Sequence, residues 1–226
     1  MTALIPPQLV INARMLYFGW VPADPAAAGA LVKGGLRPKP NRQVFINQYV
    51  VDDETQTSHF GPYSLTYAGL DVEGLDVNAA VPARWWTYYW TSSPAMSSYA
   101  AETGVPTREG GSTELELKDG ILTATTLDNG KAIIRTTAKV GKEGDNYVRS
   151  HLHYIADVKG VLYSGHYPAI GQITKVEFLD RTHDIYALAP KSPLEIVWGF
   201  YFTKAAFCYP GGFKPLAEAE LAAARA

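Results

Sequence analysis

The chain has 226 residues, of which 47% are hydrophobic, so it can bury one substantial core and is short for two domains. Its 20 basic and 22 acidic residues give a net charge of -2, without a run of like charge that could follow a phosphate backbone or an anionic membrane. We therefore expect one domain over residues 1–226, with neither nucleic acid nor membrane as a partner. The opening segment lacks the basic stretch of a signal peptide, and we expect a cytoplasmic protein.

Short runs of β-branched and aromatic residues, separated by Gly, Pro, Asn and Asp, occupy most of the chain. The clearest pattern is a three-stranded meander over residues 114–140, with turns at Asp119-Gly120 and Asn129-Gly130. The other predicted strands cover residues 9–18, 43–51, 63–70, 84–91, 149–156, 170–180 and 200–209. About ten strands are enough to close a barrel or to pair two sheets.

Helices are predicted to be few and short. Asp24 can cap and Pro25 can open a helix that ends at Gly34-Gly35. Further helices are predicted over residues 94–104, over residues 192–199 and in the Ala-rich tail. Because so short a tail is marginal as an isolated helix, we expect residues 215–226 to be loosely docked. The predicted fold class is α+β, predominantly antiparallel β.

The single residues that could carry chemistry favour structural roles. His151 and His153 share one face of a predicted strand, but a metal would need further ligands that no spacing supplies. Cys208, the single cysteine, lies in an apolar run where a buried thiol is commoner than a nucleophile. Nucleotide-binding, serine hydrolase and Cys-x-x-Cys motifs are absent from the sequence. We therefore expect neither a metal nor a cofactor.

The densest feature is the aromatic stretch from Arg84 to Trp90. Strict alternation would place Trp86, Tyr88 and Trp90 on one side of a strand, where they fill a core or line a cavity for a flat apolar ligand. The chain has 14 tyrosines, and buried phenols need hydrogen-bond partners that a ligand could supply. Both the core and the cavity interpretation stay open at this point.

Several segments, in chain order, resemble the acetoacetate decarboxylase family. The segment around Arg14, residues 12–38, resembles the family's first strand, its Asp-Pro helix and its Gly-Leu-x-Pro exit. Residues 61–69 resemble the Gly-Pro-Tyr turn that leads to the pocket, and residues 94–108 resemble the helix and the Gly-x-Pro-Lys-Lys catalytic segment. Residues 127–138 and 188–210 resemble the later hairpin and the last strand. The resemblance covers nearly the whole chain and implies the family's β-barrel or double sheet.

The departures from the family pattern concern the catalytic residues. The resemblance places Thr107 where the family has its Schiff-base lysine, and a hydroxyl cannot form the iminium that accepts the carbanion. Arg108 matches the second lysine, and Leu65 matches an expected acid. Either Asn47 or Gln48 could replace a second acid. Arg14, which resembles the arginine at the family's pocket entrance, is retained.

The leading hypothesis is an enzyme of specialised, polyketide-like metabolism that acts on a small apolar β-keto or enolisable substrate. It would promote cyclisation, dehydration or decarboxylation by non-covalent acid–base catalysis. The candidate catalytic residues are Arg14, Arg108, Tyr63, Tyr88 and His151. The candidate substrate-binding residues are Leu65, Trp86, Trp90, Val105 and Thr107. The alternative is a non-catalytic carrier that uses the same cavity, and the resemblance implies a homo-oligomer in either case.

Overall fold

The structure is a computed structural model. It describes residues 8–53, 58–76, 82–141, 146–154, 161–167, 172–209 and 217–226, with the backbone alone for 146–154 and 161–167. The strands in these ranges are β1 (Gln8–Trp20), β2 (Val44–Val51), β3 (Tyr63–Val72), β4 (Ala83–Thr91), β5 (Thr107–Arg108), β6 (Gly111–Lys118), β7 (Ile121–Asp128), β8 (Lys131–Lys139), β9 (Asn146–Tyr154), β10 (Val161–Tyr167), β11 (Gln172–Phe178) and β12 (Ile196–Tyr209). The helices are α1 (Pro25–Gly29), α2 (Pro94–Glu102), α3 (Glu218–Arg225) and a 3₁₀ helix (Asp184–Leu188).

The strands form two sheets. The large sheet has the order β3-β2-β1-β12-β10-β9-β4-β5, and β4 also pairs with β3. The small sheet has the order β11-β8-β7-β6. Most pairings are antiparallel, although β4 runs parallel to β5 and to β9. The predicted fold class is thus confirmed, and of the two architectures left open the described residues show the double sheet.

The large sheet has two faces with different partners. Side chains from β1, β2, β3, β4 and β12 pack against one another across the curved sheet, and we call this side the inner face. The opposite side, which we call the outer face, packs against the small sheet in a second apolar cluster. Side chains alternate between the two faces along each regular strand, so register decides which residues share a site.

The predicted meander is confirmed as β6, β7 and β8. Both of its turns have two central residues with positive φ, at 50° and 75° for Asp119-Gly120 and at 50° and 76° for Asn129-Gly130. Positive φ at both positions is what a two-residue type I′ hairpin turn requires, and Asn, Asp and Gly are the residues that tolerate it. The local turn chemistry therefore fixes the register of the small sheet.

Strand β4 contains a β-bulge that separates its aromatic residues. Ala68 pairs with Tyr88 while Gly69 pairs with Trp86, so Thr87 is an extra residue opposite the regular strand β3. Trp86 consequently packs in the inner-face cluster, whereas Tyr88 and Trp90 pack in the outer-face cluster. The prediction that the three side chains share one side is wrong, because strict alternation does not survive an inserted residue.

Two of the predicted helices differ from the structure. Helix α1 is limited to five residues, although Asp24 caps it as predicted by accepting hydrogen bonds from Ala26 N and Ala27 N, each at 2.9 Å. The helix predicted over residues 192–199 is wrong, because β12 begins at Ile196 and pairs with β1. Ile, Val and Trp favour strands, and the pairing with the long strand β1 outweighs the tendency of this short segment to form a helix. Helix α2 is confirmed.

The C-terminal tail forms α3 and docks on the rest of the chain. Ala224 is buried at 2% exposure in a small cluster with Leu36 and Val72. Arg225 Nε donates to the Gly34 carbonyl over 2.6 Å. Within the described residues the tail therefore has a specific docking surface rather than loose contacts. No helix in those residues is both long and apolar enough to cross a membrane.

Candidate active site

The inner face is lined with buried phenols. Its tyrosines come from five strands, and each is no more than 6% exposed. They are Tyr17, Tyr49, Tyr63, Tyr67, Tyr89 and Tyr209. Tyr67 stacks on Tyr89 with ring centroids 6.2 Å apart, and it also contacts Trp86 at 5.3 Å. Large rings with one polar atom each give this face an apolar wall and several hydroxyl groups.

A buried ion pair lies among these rings. Arg84 Nε donates to Asp71 Oδ1 over 3.1 Å, and the two side chains are 8% and 11% exposed. Arg84 Nη1 donates to the Tyr17 hydroxyl. The guanidinium carbon also lies 5.2 Å from the ring centroids of Tyr17 and Phe45 and 5.1 Å from that of Trp198. The inner face thus holds a permanent cation against aromatic rings, an arrangement that stabilises guanidinium groups.

Burial controls protonation on this face. Loss of solvent raises the pKa of Asp71 above its ordinary value, although Arg84 opposes the shift. Burial likewise raises the pKa of Tyr49, Tyr89 and Tyr209 well above that of a free phenol, and it raises the pKa of Tyr63 as well. These phenols are therefore neutral at physiological pH and act as O–H donors or acceptors.

Asn47 adds an amide to the inner face. It lies across from Tyr17 on β1 and from Tyr67 on β3. Its Nδ2 donates to the Tyr67 hydroxyl over 2.7 Å and contacts Met15 Sδ at 2.9 Å. No partner for Asn47 Oδ1 lies among the residues that the structure describes, although the residue is only 2% exposed. A buried acceptor without a partner is uncommon in proteins and needs an explanation.

Four of the predicted site residues contribute to the inner-face cluster, namely Tyr63, Leu65, Trp86 and Val105. The Tyr63 hydroxyl lies 3.0 Å from the Tyr49 hydroxyl. Thr107 pairs with Tyr89 at the edge of the large sheet and is partly buried, so its side chain shares the face of Tyr89. The structure therefore brings half of the predicted set to one face.

Tyr88, Trp90 and Arg108 lie on the outer face instead. The Arg108 guanidinium carbon is 5.0 Å from the Tyr88 ring centroid and 5.8 Å from that of Trp90, and Arg108 forms an ion pair with Asp184. Burial, with a smaller contribution from Asp184, raises the pKa of Tyr88 to about 12. These three residues form a group of their own, separated from Thr107 and Trp86 by the sheet.

Arg14 also lies on the outer side of the large sheet. It pairs in register with Val50, donates to both Asp52 carboxylate oxygens at 2.8 Å, and donates to the Leu115 carbonyl at 2.9 Å. Hydrogen bonding to Arg14 lowers the pKa of Asp52 below its ordinary value. Predicted residue His151 lies in β9, whose side chains are outside the described part of the structure.

The side chains of His151 and His153 lie outside the described part of the structure. The His, Cys, Asp and Glu side chains that the structure does describe include no group of three or more with metal-binding geometry. His183 is a cap: its Nδ1 accepts from Ile185 N at 3.1 Å, and its Nε2 lies 3.0 Å from Asp128 Oδ2. This histidine fixes the start of the 3₁₀ helix.

Comparison with known proteins identifies the fold. No protein-family model matches the chain, and no curated protein matches it. Among solved structures, acetoacetate decarboxylase from Legionella pneumophila superposes with a TM-score of 0.67 at 15% identity, over 94% of this chain and 88% of that one. A second acetoacetate decarboxylase structure gives 0.66 at 16% identity, over 93% and 90%. The enduracididine biosynthesis enzyme MppR in complex with pyruvate gives 0.62 at 16% identity, over 94% and 91%.

The chain has the acetoacetate decarboxylase-like fold. The fold expected from the ordered sequence segments is therefore confirmed over nearly the full length. The similar structures are of enzymes, as their names state.

Most of the lysines that the structure describes in this acetoacetate decarboxylase-like chain are exposed, but the charge of Lys39 acts to lower the pKa of Asp71 on the inner face. Thr107 occupies the position of the catalytic lysine in the resemblance. Lys39 and Lys191 are partly buried and pair with Asp76 and Glu195. The remaining described lysines are exposed: Lys33, Lys118, Lys131, Lys139, Lys175 and Lys204. The described inner face thus holds the guanidinium of Arg84 beside Asp71, while the amine of Lys39 is paired with Asp76.

Sequence reasoning missed the polar residues that distinguish this acetoacetate decarboxylase-like chain. Arg84 and Asp71 are thirteen residues apart and become partners only through the pairing of β3 with β4. The available signal was a charged residue at the end of one apolar stretch, Asp71, and another at the start of the next aromatic stretch, Arg84. Of the two residues left open, Asn47 faces the inner side, whereas Gln48 bonds Thr126 between the sheets at 3.0 Å.

Proposed function

We propose that this protein is an enzyme that acts at the inner face on a small apolar β-keto or enolisable carbonyl compound. Catalysis is by non-covalent acid–base chemistry, which suits cyclisation, dehydration or decarboxylation. The observation that carries the proposal is the buried Asp71–Arg84–Tyr17 group, set among aromatic rings on the face where the fold's relatives would need an amine.

The cost of this ion pair supports a functional role. Desolvating both charges costs several kcal/mol, and replacing a buried pair with packed apolar side chains is often neutral or stabilising. Stability alone is therefore a weak reason for a sequence to keep Arg84 and Asp71 at these buried positions. A guanidinium that stays charged at any physiological pH would hold the carboxylate or enolate oxygen of a substrate.

The phenols supply the proton chemistry in this proposal. A β-keto acid or a 1,3-diketone delocalises a developing carbanion onto its own carbonyl group, so an external electron sink is not required. What the reaction needs is a charge partner, a proton donor and exclusion of water. The Tyr17 hydroxyl, which accepts from Arg84 and can donate its own proton, is our candidate for the donor beside the cation. The hydrogen-bonded pair of Tyr49 and Tyr63 lies further along the same face and is buried and neutral.

The similar enzymes favour a carbonyl substrate. The name of one group is acetoacetate decarboxylase, and MppR was crystallised with pyruvate. Because Thr107 cannot form an iminium, we propose that this chain retained a carbonyl-binding fold and does not use the covalent intermediate.

The test is turnover of a panel of 1,3-diketones and β-keto acids by the wild type, Arg84→Lys and Arg135→Lys. Arg84→Lys keeps a charge but loses the planar fork, so we expect kcat/KM to fall at least about tenfold. Arg135 is exposed in β8, and its lysine variant should match the wild type. Recovery of every compound unchanged, with binding intact, would instead indicate a carrier. Equal activity of both variants would exclude Arg84 as the anchor.

A further inference from the structure

Asn47 combines deep burial with an acceptor that has no partner among the residues that the structure describes. Its Nδ2 atom has two contacts, with the Tyr67 hydroxyl at 2.7 Å and Met15 Sδ at 2.9 Å. The Tyr67 hydroxyl can bond either end of the amide, since a phenol both donates and accepts. Met15 Sδ has no hydrogen to donate, so the end of the amide that faces it is Nδ2. The chemistry of the neighbours therefore fixes which end of the amide is the oxygen.

The position of Asn47 connects this acceptor with the buried cation. Asn47 is the direct cross-strand neighbour of Tyr17, whose hydroxyl accepts from Arg84. Directly paired side chains start from Cβ atoms about 4.5–5.5 Å apart. A compact ligand whose oxygen bonds the Arg84 and Tyr17 end would therefore extend along the face past Asn47.

We propose that Asn47 Oδ1 accepts a hydrogen bond from an O–H group of the substrate. The inference rests on the proposed function and narrows its substrate class to carbonyl compounds that carry a hydroxyl, such as enols, β-hydroxy ketones and phenolic ketones. A compound without the donor would leave a buried acceptor unpaired, which is the strongest basis for rejecting a close analogue.

Gln48 provides a matched control in the same strand. It is fully buried, its Nε2 donates to Thr126 Oγ1 at 3.0 Å, and its Oε1 also has no partner among the described residues. It faces the small sheet, on the opposite side of β2 from Asn47. Asn47→Leu and Gln48→Met thus each remove one buried amide whose oxygen has no partner among the described residues. The first removes it from the inner face and the second from the outer face.

The experiment measures binding of 4-hydroxyacetophenone and 4-methoxyacetophenone by titration calorimetry. The two probes differ by one methyl group that removes the O–H donor, and neither can be dehydrated or decarboxylated. We expect the wild type and Gln48→Met to bind the hydroxy probe about tenfold more tightly than the methoxy probe. Asn47→Leu should bind the two probes with affinities within about twofold of each other, because it has no acceptor to leave unpaired.

Three results would overturn the inference. If Asn47→Leu keeps the wild-type preference, Asn47 bonds an internal water or serves packing alone. If the wild type binds both probes equally, the inner face does not select for a hydroxyl, and the proposed function still stands on its turnover test. Failure of the wild type to bind either probe, with no turnover of the 1,3-dicarbonyl panel, would reject both proposals. Thermal unfolding of each variant shows that the affinities refer to folded protein.

Discussion

Arg84 and Asp71 are direct partners across β3 and β4, and they meet inside an aromatic layer rather than at the protein surface. The two charges face each other, and the guanidinium also donates to the Tyr17 hydroxyl and lies against the rings of Tyr17, Phe45 and Trp198. Because the surroundings exclude most water, removal of one charge has consequences that removal of both does not.

Arg84→Met should destabilise the protein strongly, because it leaves the Asp71 carboxylate buried without its cation. Loss of one partner of a buried ion pair typically costs about 3–5 kcal/mol. The double variant Arg84→Met/Asp71→Leu should recover most of that loss, since neither charge remains. Urea unfolding of the three proteins gives the free energies. A double variant as unstable as Arg84→Met would show that the cost lies in packing rather than in the unpaired charge.

The inner-face phenols should resist ionisation at alkaline pH. Burial raises the pKa of Tyr49, Tyr89 and Tyr209 above 10 in the folded protein, whereas the unfolded chain has phenols near 10. Because the phenol pKa is higher in the folded protein than in the unfolded chain, these groups contribute stability in full below pH 10. That contribution is lost as the pH rises above 10. Phenolate absorbance should therefore show fewer titrating groups in the native protein than in urea, where all 14 tyrosines titrate.

Tyr63→Phe provides the matching mutant test of this titration. It removes one of the shifted phenols, so the decline in unfolding free energy above pH 10 should become less steep. At neutral pH the loss of the hydrogen bond to Tyr49 should cost about 1 kcal/mol. If all tyrosines titrate together in the native protein, the inner face is open to water and the proposed proton donors are wrong.

The bulge in β4 makes Gly69 a sensitive position. A Cβ atom at Gly69 would lie 1.7 Å from the Trp85 carbonyl oxygen, a backbone atom that cannot move aside without shifting the strand. We expect Gly69→Ala to cost about 3 kcal/mol or to prevent folding. Gly141→Ala is the control, because nothing lies within 4 Å of its Cβ position. Equal thermal unfolding of the two variants would contradict the bulged register.

Local signals in the sequence account for much of the fold. Asp119-Gly120 and Asn129-Gly130 carry the left-handed backbone of their turns, so the small sheet could be predicted from the residues themselves. Residues that form β1 to β4 could also be predicted as strands, because β-branched and aromatic residues are dense there. The ordered resemblance then supplied the topology, which spacing alone does not contain.

The contents of the site could not be predicted to the same degree, because they depend on pairings between distant strands. Thr87 shifts Tyr88 and Trp90 to the outer face, and counting by two along β4 gives the opposite result. The sign of this bulge in the sequence was Gly69, because the Trp85 carbonyl of β4 comes too close for any residue with a Cβ atom. Ile196 shows the same limit, since its pairing with Trp20 outweighs the local helical pattern.

The central claim is that this acetoacetate decarboxylase-like chain works without a Schiff base, and borohydride trapping tests it most directly. Wild type and Thr107→Lys are incubated with acetoacetate, pyruvate or acetylacetone, reduced, and weighed intact by mass spectrometry. We expect no adduct on the wild type and a reduced adduct on Thr107→Lys, because residue 107 shares the face of Tyr89. A stable adduct on the wild type would contradict the account and would locate a lysine that performs the covalent chemistry.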